Sequence, residues 1–449
     1  MPRSLRLADR DPTLSSSDPT TPSIAVVGAG AAGLMAAIWA GRTAEERNSR
    51  ISIAAFDGAL KLGAKILVAG GGRCNVTHHE VDEHQYAGSS RNAIKKVLRR
   101  FDVAETVLFF KDLGVELKRE DTGKLFPVTD TASTVLHALL DEARRAGTKL
   151  IHPERVQSIA RADRGFDVIT AGQTRRVDRV ILATGGRALP KTGSDGGGYE
   201  LAKALGHTIT PHTFPALAPL LLDPTCFLLA LSGITLPATI ELLSPTGKRL
   251  QSFTNSLLLA HFGLSGPGVL DISRYFTAAL LEHGDKPAPG PTLALNFLPT
   301  HTTESFDLLL QGIGNRGVAN YLSSLLPDRL ARALAEHCAI DPAAPGHTLT
   351  REQRRRLAAA CTRLTIPATA TRGYTYAEAT AGGVPLSELH LDTMESRVCP
   401  GLHLCGEILD VDGRVGGFNF QWAWASGFVA GTSAARALIP ALDAPTLPP

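Results

Sequence analysis

The chain of 449 residues lacks several patterns that would assign it to a class at once. No apolar run reaches the ~18 residues of a membrane span, so we expect no membrane-spanning segment. Its six cysteines include no C-x-x-C pair, and neither H-x-H nor H-E-x-x-H occurs, so we expect no metal site. The nucleophile elbow G-x-S-x-G is also missing, which argues against a serine hydrolase.

Charge and composition favour an ordinary globular protein. The net charge is +3, with 44% hydrophobic and 20% charged residues, and nothing in this balance calls for a nucleic-acid partner. Residues 1–22 are polar and rich in Ser, Thr and Pro, which predicts a disordered tail. The remaining length suffices for two or three domains. We therefore expect a cytoplasmic protein that binds neither membrane nor nucleic acid.

The most informative stretch is Ile24–Gly33, I-A-V-V-G-A-G-A-A-G, which joins an apolar strand to a helix through three glycines. One glycine allows a tight turn, the next allows backbone to approach a pyrophosphate, and the third allows the helix to pack closely on the strand. The positive N-terminus of the helix then faces the phosphates. The predicted contacts are Gly28, Gly30, Ala31, Ala32 and Gly33. The alternative is a glycine-rich turn in an unrelated α/β protein.

A second strand followed by an acid supports the dinucleotide interpretation. Arg50–Phe56 reads as a strand, and Asp57 follows it at the position that accepts hydrogen bonds from a ribose hydroxyl. A carboxylate there disfavours a 2′-phosphate. The site is therefore expected to take FAD or NAD in preference to NADP.

The next segment, Leu60–Thr77, contains three consecutive glycines, which are costly to order unless backbone must approach something closely. Its cations could meet a phosphate or the electron-rich end of a flavin, and its Asn could hydrogen-bond a ring edge. The candidate contacts are Lys65, Gly72, Arg73, Cys74 and Asn75. The alternative is a flexible surface loop, and for Cys74 a buried packing role is favoured.

With these two motifs in order, G-A-G-A-A-G and then L-G-A-K-I-L-V-A-G-G-G-R-C-N-V-T, the chain resembles the bacterial FAD-dependent oxidoreductases of the RsdA/BaiN/aminoacetone-oxidase-like group, also called YhiN-like flavoproteins. The resemblance extends from about Ser23 to about Leu438. The chain departs from that group's usual Gly-Arg-Lys at Gly63-Ala64-Lys65, and it has Asp57 where Glu is commoner.

The resemblance implies an α/β fold: a Rossmann-like FAD-binding domain in two segments, 23–205 and 369–449. Residues 206–368 would form an inserted domain with a β-barrel-like part and a helical part at about 301–360. In related flavoproteins one strand offers backbone to the adenine, and an A-T-G turn closes over the cofactor. The corresponding residues of this chain are Val156, Thr184 and Gly185.

The resemblance also assigns a second flavin signature to two stretches, Ala377–Leu386 and then Pro400–Phe428. A short strand there is expected to present an acid to a ribityl hydroxyl, and a following helix to stabilise negative charge on a reduced flavin through its positive end. The candidate contacts are Gly406, Glu407, Gly416, Gly417, Phe418 and Asn419. Segment His261–Ser273 matches a motif of the insert, and we expect it near the flavin.

Two further stretches have competing interpretations. Lys191–Tyr199 could be a second nucleotide loop, but it lacks the preceding strand and following acid, so a hinge and helix start is favoured. The basic cluster Arg351–Arg356 could suggest nucleic acid, but on an amphipathic helix without interleaved aromatics a solvated face is favoured.

The sequence thus predicts a flavoprotein with non-covalent FAD, acting as an NAD(P)H-linked reductase of a small organic substrate, with a conjugated C=C bond as one option. An amine oxidase that forms hydrogen peroxide, a non-catalytic FAD-binding protein and a flavin enzyme of RNA modification stay as alternatives. The last would call for a basic insert with exposed aromatics. No catalytic residue is assigned, and the oligomeric state stays open.

Overall fold

The computed structural model describes residues 21–284 and 290–439. The predicted tail at 1–22 lies almost wholly outside the described residues. Among the described residues, no helix has the length and apolar character needed to cross a membrane.

Twelve helices lie in the described part of the chain, apart from short 3₁₀ turns. They are α1 (Ala31–Glu46), α2 (Ala64–Gly72), α3 (Arg91–Leu98), α4 (Val103–Asp112), α5 (Ala132–Arg145), α6 (Gly197–Ala204), α7 (Pro267–His283), α8 (Thr303–Gln311), α9 (Val318–Leu322), α10 (Asp328–His337), α11 (Arg351–Thr362) and α12 (Phe418–Arg436).

The strands of the described residues are mostly short. They are β1 (Ser23–Val27), β2 (Ser52–Phe56), β3 (Thr77–His78), β4 (Tyr86–Gly88), β5 (Leu117–Arg119), β6 (Lys124–Pro127), β7 (Thr148–Ile151), β8 (Val156–Arg161), β9 (Phe166–Thr170), β10 (Thr174–Val177), β11 (Arg179–Leu182), β12 (Phe214–Ala216), β13 (Leu220–Leu222), β14 (Thr235–Leu243), β15 (Arg249–Ala260), β16 (Gly263–Ser265), β17 (Thr292–Asn296), β18 (Leu364–Ile366), β19 (Ala368–Thr371), β20 (Ala379–Ala381), β21 (Leu389–His390), β22 (Glu395–Ser396), β23 (Leu402–Leu404) and β24 (Val411–Gly413).

A seven-stranded sheet in the order β21-β22-β23-β11-β1-β2-β7 forms the Rossmann-like part of the molecule. Strands β23, β11, β1, β2 and β7 are parallel. The side chains of β23, β11, β1 and β2 are almost entirely buried because helices cover the sheet, whereas the edge strand β7 is partly exposed. The chain goes from β1 to β2 on one side and later to β11 on the other. Strand β1 is therefore a switch point, where open α/β sheets bind their ligands.

Helix α12 returns from the C-terminal part of the chain and packs directly on α1. Small residues bring the two backbones close together: a Cβ atom at Gly431 would lie 2.1 Å from the carbonyl oxygen of Ala36, and one at Gly427 would lie 2.6 Å from that of Ala32. The first and last segments of the chain consequently share one hydrophobic core.

A second sheet contains strands of the predicted insert in the order β18-β17-β14-β15-β16-β13-β19. Its two edge strands, β18 and β19, are consecutive in the chain and separated only by Pro367, so the sheet curls round into a barrel-like form. The turn Ser244–Gly247 joins β14 to β15. Helices α7 to α11 add to a separate hydrophobic core.

The chain leaves the Rossmann-like part through β12 and returns through β20. These two strands pair with each other, Ala216 opposite Ala379, and form a two-stranded neck. Strand β19 still belongs to the barrel-like sheet, beyond the predicted boundary at residue 368. The division of the chain into domains stays a prediction.

Several elements are determined by residues that lie close together in the chain. Asp102 and Glu105 form the capping box that begins α4, and β5 and β6 pair around the turn Asp121–Gly123. At α6 the N-cap is Gly196, but the Asp195 carboxylate still accepts a hydrogen bond from the N–H of Gly197, at 3.0 Å. These elements follow from short-range patterns.

Candidate functional site

A cavity of about 1540 Å³ opens at the carboxyl ends of β1, β2 and β11 and continues beneath the insert. It exceeds the ~300–1,000 Å³ of ordinary ligand pockets, as a site for a dinucleotide with space for a substrate should. Most of the predicted site residues lie on its wall. They are Gly28, Gly30, Ala31, Ala32, Asp57, Lys65, Asn75, Val156, Thr184, Gly185, Gly406, Glu407, Gly416, Gly417 and Asn419.

Five predicted residues lie off this wall: Gly33, Gly72, Arg73, Cys74 and Phe418. For Gly33 this agrees with its predicted packing role, because a Cβ atom there would lie 1.8 Å from the carbonyl oxygen of Gly28. Gly72 has a left-handed φ of 87° and turns the chain at the end of α2. Phe418 is buried and stacks on His78, with ring centroids 5.0 Å apart.

Arg73 is turned away from the cavity by other partners. Its guanidinium lies 2.6 Å from the Glu120 carboxylate and 3.5 Å from Asp130, and it covers the ring of Phe126. The geometry thus gives Arg73 a structural ion pair where we expected contact with phosphate or flavin. Cys74 is fully buried, and burial raises the pKa of its thiol to about 12, so it stays protonated and packs as a small apolar residue.

Two helix N-termini meet the cavity without side-chain caps. Gly30 is the N-cap of α1 and Gly417 is the N-cap of α12, and neither helix receives a capping hydrogen bond from a side chain. The first N–H groups of a helix have no partner within the helix, and the dipole adds positive potential there. A Cβ atom at Gly30 would meet nothing within 4 Å, so the space in front of α1 is open. This arrangement suits a pyrophosphate.

Asp57 organises the turn that faces the ribose position. Its two carboxylate oxygens accept hydrogen bonds from the N–H groups of Ala29 and Ala59, each at 2.8 Å. A carboxylate has about four acceptor sites, so hydroxyl groups of a ribose can still bind. The acid that the sequence motif requires therefore also holds the glycine-rich turn in place.

Three wall residues carry buried polar atoms that have no partner in the described structure: Asn75 Oδ1, Thr184 Oγ1 and Ser194 Oγ. Buried polar groups are nearly always hydrogen-bonded, and an unpaired one costs about 1–3 kcal/mol. Their position on one wall indicates that a bound polar molecule completes them. Together with the two uncapped helices, they fit a dinucleotide cofactor.

Lys65 and Glu407 form an ion pair across the cavity wall, and both side chains are largely buried. Glu407 Oε1 also accepts a hydrogen bond from the backbone N–H of Thr380 at 2.9 Å. The pair joins α2 to the turn after β23 and brings the two predicted flavin motifs together. Glu407 therefore lies on the wall with its orientation defined by two partners.

The insert forms the roof of the cavity on one side. The predicted segment His261–Ser273 supplies Ser265, Gly266, Pro267 and Leu270 to the wall, and the 3₁₀ turn before the returning strand supplies Tyr376. Helix α7 is tied to β24 and to the loop that follows it by two ion pairs with buried carboxylates. These are Arg274–Asp412, at 2.9 Å, and Arg414–Asp271, at 3.0 Å.

Other wall residues were not assigned from the sequence. The loop Lys191–Ser194 lines this same cavity, so it does not form a second nucleotide site of its own there. Arg414 and Glu378 lie within the stretches of the second flavin signature, and Tyr376 directly precedes one of them. None was assigned a contact, because only the crossing of the insert over the sheet brings them to the wall. Trp422 is 1% exposed and donates its indole N–H to the Gly406 carbonyl.

Comparisons with known proteins agree with this geometry. The model of the HI0933-like protein Rossmann domain matches residues 22–433. The 3-dehydro-bile acid delta(4,6)-reductase of Clostridium scindens is 35% identical over 92% of this chain and 99% of its own length. The ribosomal RNA dihydrouridine synthase of Escherichia coli is 32% identical over 89% of this chain and 95% of its own, and that of Haemophilus influenzae 30% over 92% and 98%. The chain belongs to the HI0933-like Rossmann family of FAD-dependent oxidoreductases.

Proposed function

We propose that the protein is an NAD(P)H-linked reductase of a C=C bond conjugated to a carbonyl group in a six-membered ring. The observation that carries the proposal is the continuity of the cavity, which runs from the dinucleotide cradle at β1 to a compartment roofed by α7. Such a compartment lets a ring lie against a flavin, sheltered from bulk water.

The names of the relatives support the same bond type. A 3-dehydro-delta(4,6) steroid carries double bonds conjugated to a ketone, and dihydrouridine differs from uridine by saturation of a ring double bond next to a carbonyl. Both reactions add a hydride and a proton across a polarised C=C bond. We propose this shared chemistry for the present chain, with the substrate a small ring compound.

Different residues of the chain would bind different parts of FAD. The N-terminus of α1 with Gly30 would hold the pyrophosphate and Asp57 the ribose, while Asn75 and Thr184 would complete their hydrogen bonds on the cofactor. The N-terminus of α12 at Gly417 would stabilise negative charge on the reduced ring. FAD, when bound, supplies hydride transfer.

A nicotinamide nucleotide would have to bind transiently beneath the insert, since the chain has one full dinucleotide fingerprint. It would then leave before the substrate binds in the same compartment. Its affinity should therefore be modest, and steady-state kinetics should follow a ping-pong pattern.

The test is an anaerobic experiment in two steps. NADH or NADPH should bleach the flavin absorbance band at about 450 nm. Addition of a 4-ene-3-ketone steroid should then restore this absorbance. If neither nucleotide bleaches the band while an amine does, the protein is an amine oxidase. If a nucleotide bleaches it and no conjugated ketone restores it, the proposed substrate class is wrong.

A second candidate, reduction of uridine in ribosomal RNA, is favoured by the two relatives named for that activity. The sequence argument against a nucleic-acid partner stays a prediction beside these relatives. A parallel reaction with unmodified ribosomal RNA, followed by analysis of the nucleosides for dihydrouridine, distinguishes the two. Product from RNA and none from ketones would establish the second candidate in place of the first.

A further inference from the structure

Glu378 occupies a distinctive position on the cavity wall. It directly precedes β20, the strand that returns from the insert, and lies between Ala377 and Ala379, which are both fully buried. Its backbone N–H donates to the Leu217 carbonyl at 3.2 Å. The side chain is exposed, and the residue lines the cavity. Its place in the roofed compartment is therefore defined by a well-packed backbone.

The other acids on the wall have partners. Asp57 accepts two backbone hydrogen bonds, Glu407 is paired with Lys65, Asp195 is paired with Arg155, and Glu200 with Lys203. Within residues 21–284 and 290–439, the carboxylate of Glu378 has neither a hydrogen bond nor an ion pair. It is the one wall acid without a partner in the described part of the chain.

Few other groups on the wall could donate a proton. No cysteine or histidine of the described chain lies there. Tyr376 does, and its ring carries the guanidinium of Arg372, 3.6 Å from the ring centroid. Lysines also line the wall, among them Lys124 and Lys65, which is paired with Glu407. Glu378 is the carboxyl group of the wall that has no protein partner in the described chain.

We propose that Glu378 is the catalytic proton donor of the reduction, an inference that rests on the proposed function. As hydride arrives at the β-carbon of the conjugated ring, the π electrons of the C=C bond move toward the carbonyl. Glu378 gives its proton to the α-carbon, and the product carries two new C–H bonds. The nicotinamide nucleotide is the reductant overall and leaves oxidised, and Glu378 regains a proton from water.

The surroundings of Glu378 favour a protonated carboxyl. Enclosure raises its pKa, and the negative charge of Asp271 on α7 raises it further, while Lys65 on α2 and Lys124 on β6 lower it. Enclosure has the largest effect, so the pKa lies above its ordinary value. A general acid needs its proton near the working pH.

The test compares Glu378→Gln, which keeps the shape and removes the acid, with Glu378→Asp and with the surface control Glu336→Gln on α10. In Glu378→Gln, reduction of the flavin by NADH or NADPH should stay within about twofold of wild type. Reoxidation by the conjugated ketone should slow about 10²- to 10³-fold, the usual contribution of a general acid. Glu378→Asp should recover part of the rate, and Glu336→Gln should match wild type.

A readout independent of turnover is the pH dependence of unfolding. A carboxyl group whose folded pKa is raised stabilises the fold below its unfolded pKa, and this contribution is lost as pH rises through the folded pKa. The stability of Glu378→Gln relative to wild type should therefore increase over that range, while Glu336→Gln runs parallel to wild type. A constant difference would show that Glu378 titrates as an ordinary surface acid and would overturn the proposal.

The kinetic outcomes separate the two levels of inference. If wild type is reoxidised by the ketone and Glu378→Gln is equally fast, the proton donor is wrong and the proposed function stands. If wild type is not reoxidised by any conjugated ketone, the proposed function fails and the role of Glu378 falls with it.

Discussion

Replacement of Gly30 by valine should abolish cofactor binding without unfolding the protein. In the structure, a Cβ atom at this position meets nothing within 4 Å, and the backbone, with φ −81° and ψ −166°, is in the extended region open to any residue. The side chain would instead fill the space in front of α1. The change therefore separates the stability of the fold from the binding of the pyrophosphate.

The magnitudes follow from these contacts. Loss of glycine at the N-cap lowers the free energy of unfolding by up to about 1 kcal/mol. The smaller conformational entropy of the unfolded valine variant raises it by about 0.4–1 kcal/mol. The net change in the free energy of unfolding should therefore be less than about 1 kcal/mol. Two lost charge-assisted hydrogen bonds to phosphate, each worth about 1.5–3 kcal/mol, would weaken FAD binding about 10²- to 10⁴-fold.

Chemical denaturation of the flavin-free protein measures the stability, and fluorescence titration with FAD measures the affinity. Gly172→Val is the matched control, because Gly172 is exposed and a Cβ atom there lies 3.5 Å from a Glu154 oxygen, in ordinary contact. Gly33→Ala is the opposite control and should cost about 3 kcal/mol or more through its clash with backbone. FAD binding by Gly30→Val within threefold of wild type would refute the reasoning.

Three further outcomes are expected. A chain that ends at Thr365 should fail to fold, because it lacks β23 and the helix α12 that packs on α1. A cooperative unfolding transition of the truncated protein would contradict this prediction. Glu407→Ala should weaken FAD binding about 10- to 100-fold by removing a charged acceptor, read from flavin fluorescence, and unchanged affinity would remove Glu407 from the site. Burial lowers the pKa of His403 from 6.5 to about 4, so the free energy of unfolding of the wild type should fall as pH drops through this range. In His403→Asn, the free energy of unfolding measured by chemical denaturation should fall less between about pH 7.5 and about pH 5. Parallel curves for the two proteins would refute this prediction.

The part of the site that could be predicted from sequence is local. Gly28, Gly30 and Asp57 belong to one contiguous strand-turn-helix-strand pattern. Each position has its own steric or charge requirement, and the required residues occur in the expected order along the chain. The second flavin motif was also predictable, because a glycine pair before an apolar helix indicates an uncapped N-terminus. The barrel-like sheet follows from strand pairings that only the resemblance suggested.

What could not be predicted depends on contacts between distant segments. Arg73 lies in a motif, but its partners Glu120 and Asp130 come from a later hairpin and loop, and no spacing rule connects them. Glu378 lies in the second flavin signature, but nothing in that pattern marks its carboxyl group as unpaired, which depends on where the insert crosses the sheet. Long-range pairing of this kind is invisible to periodicity, which reports neighbours along one element.

The pairing of β12 with β20 has a consequence for how proteins of this architecture can diversify. Because the outgoing and returning strands lie side by side, everything between them can lengthen, shrink or be exchanged without displacing a strand of the parallel sheet. The residues expected to hold the cofactor lie almost entirely on the sheet side of this neck, and the roof over the substrate compartment comes mainly from beyond it. One FAD-binding part can in this way be combined with inserts suited to substrates of very different size, provided that the neck and the ion pairs of α7 with Asp412 and Arg414 keep their geometry.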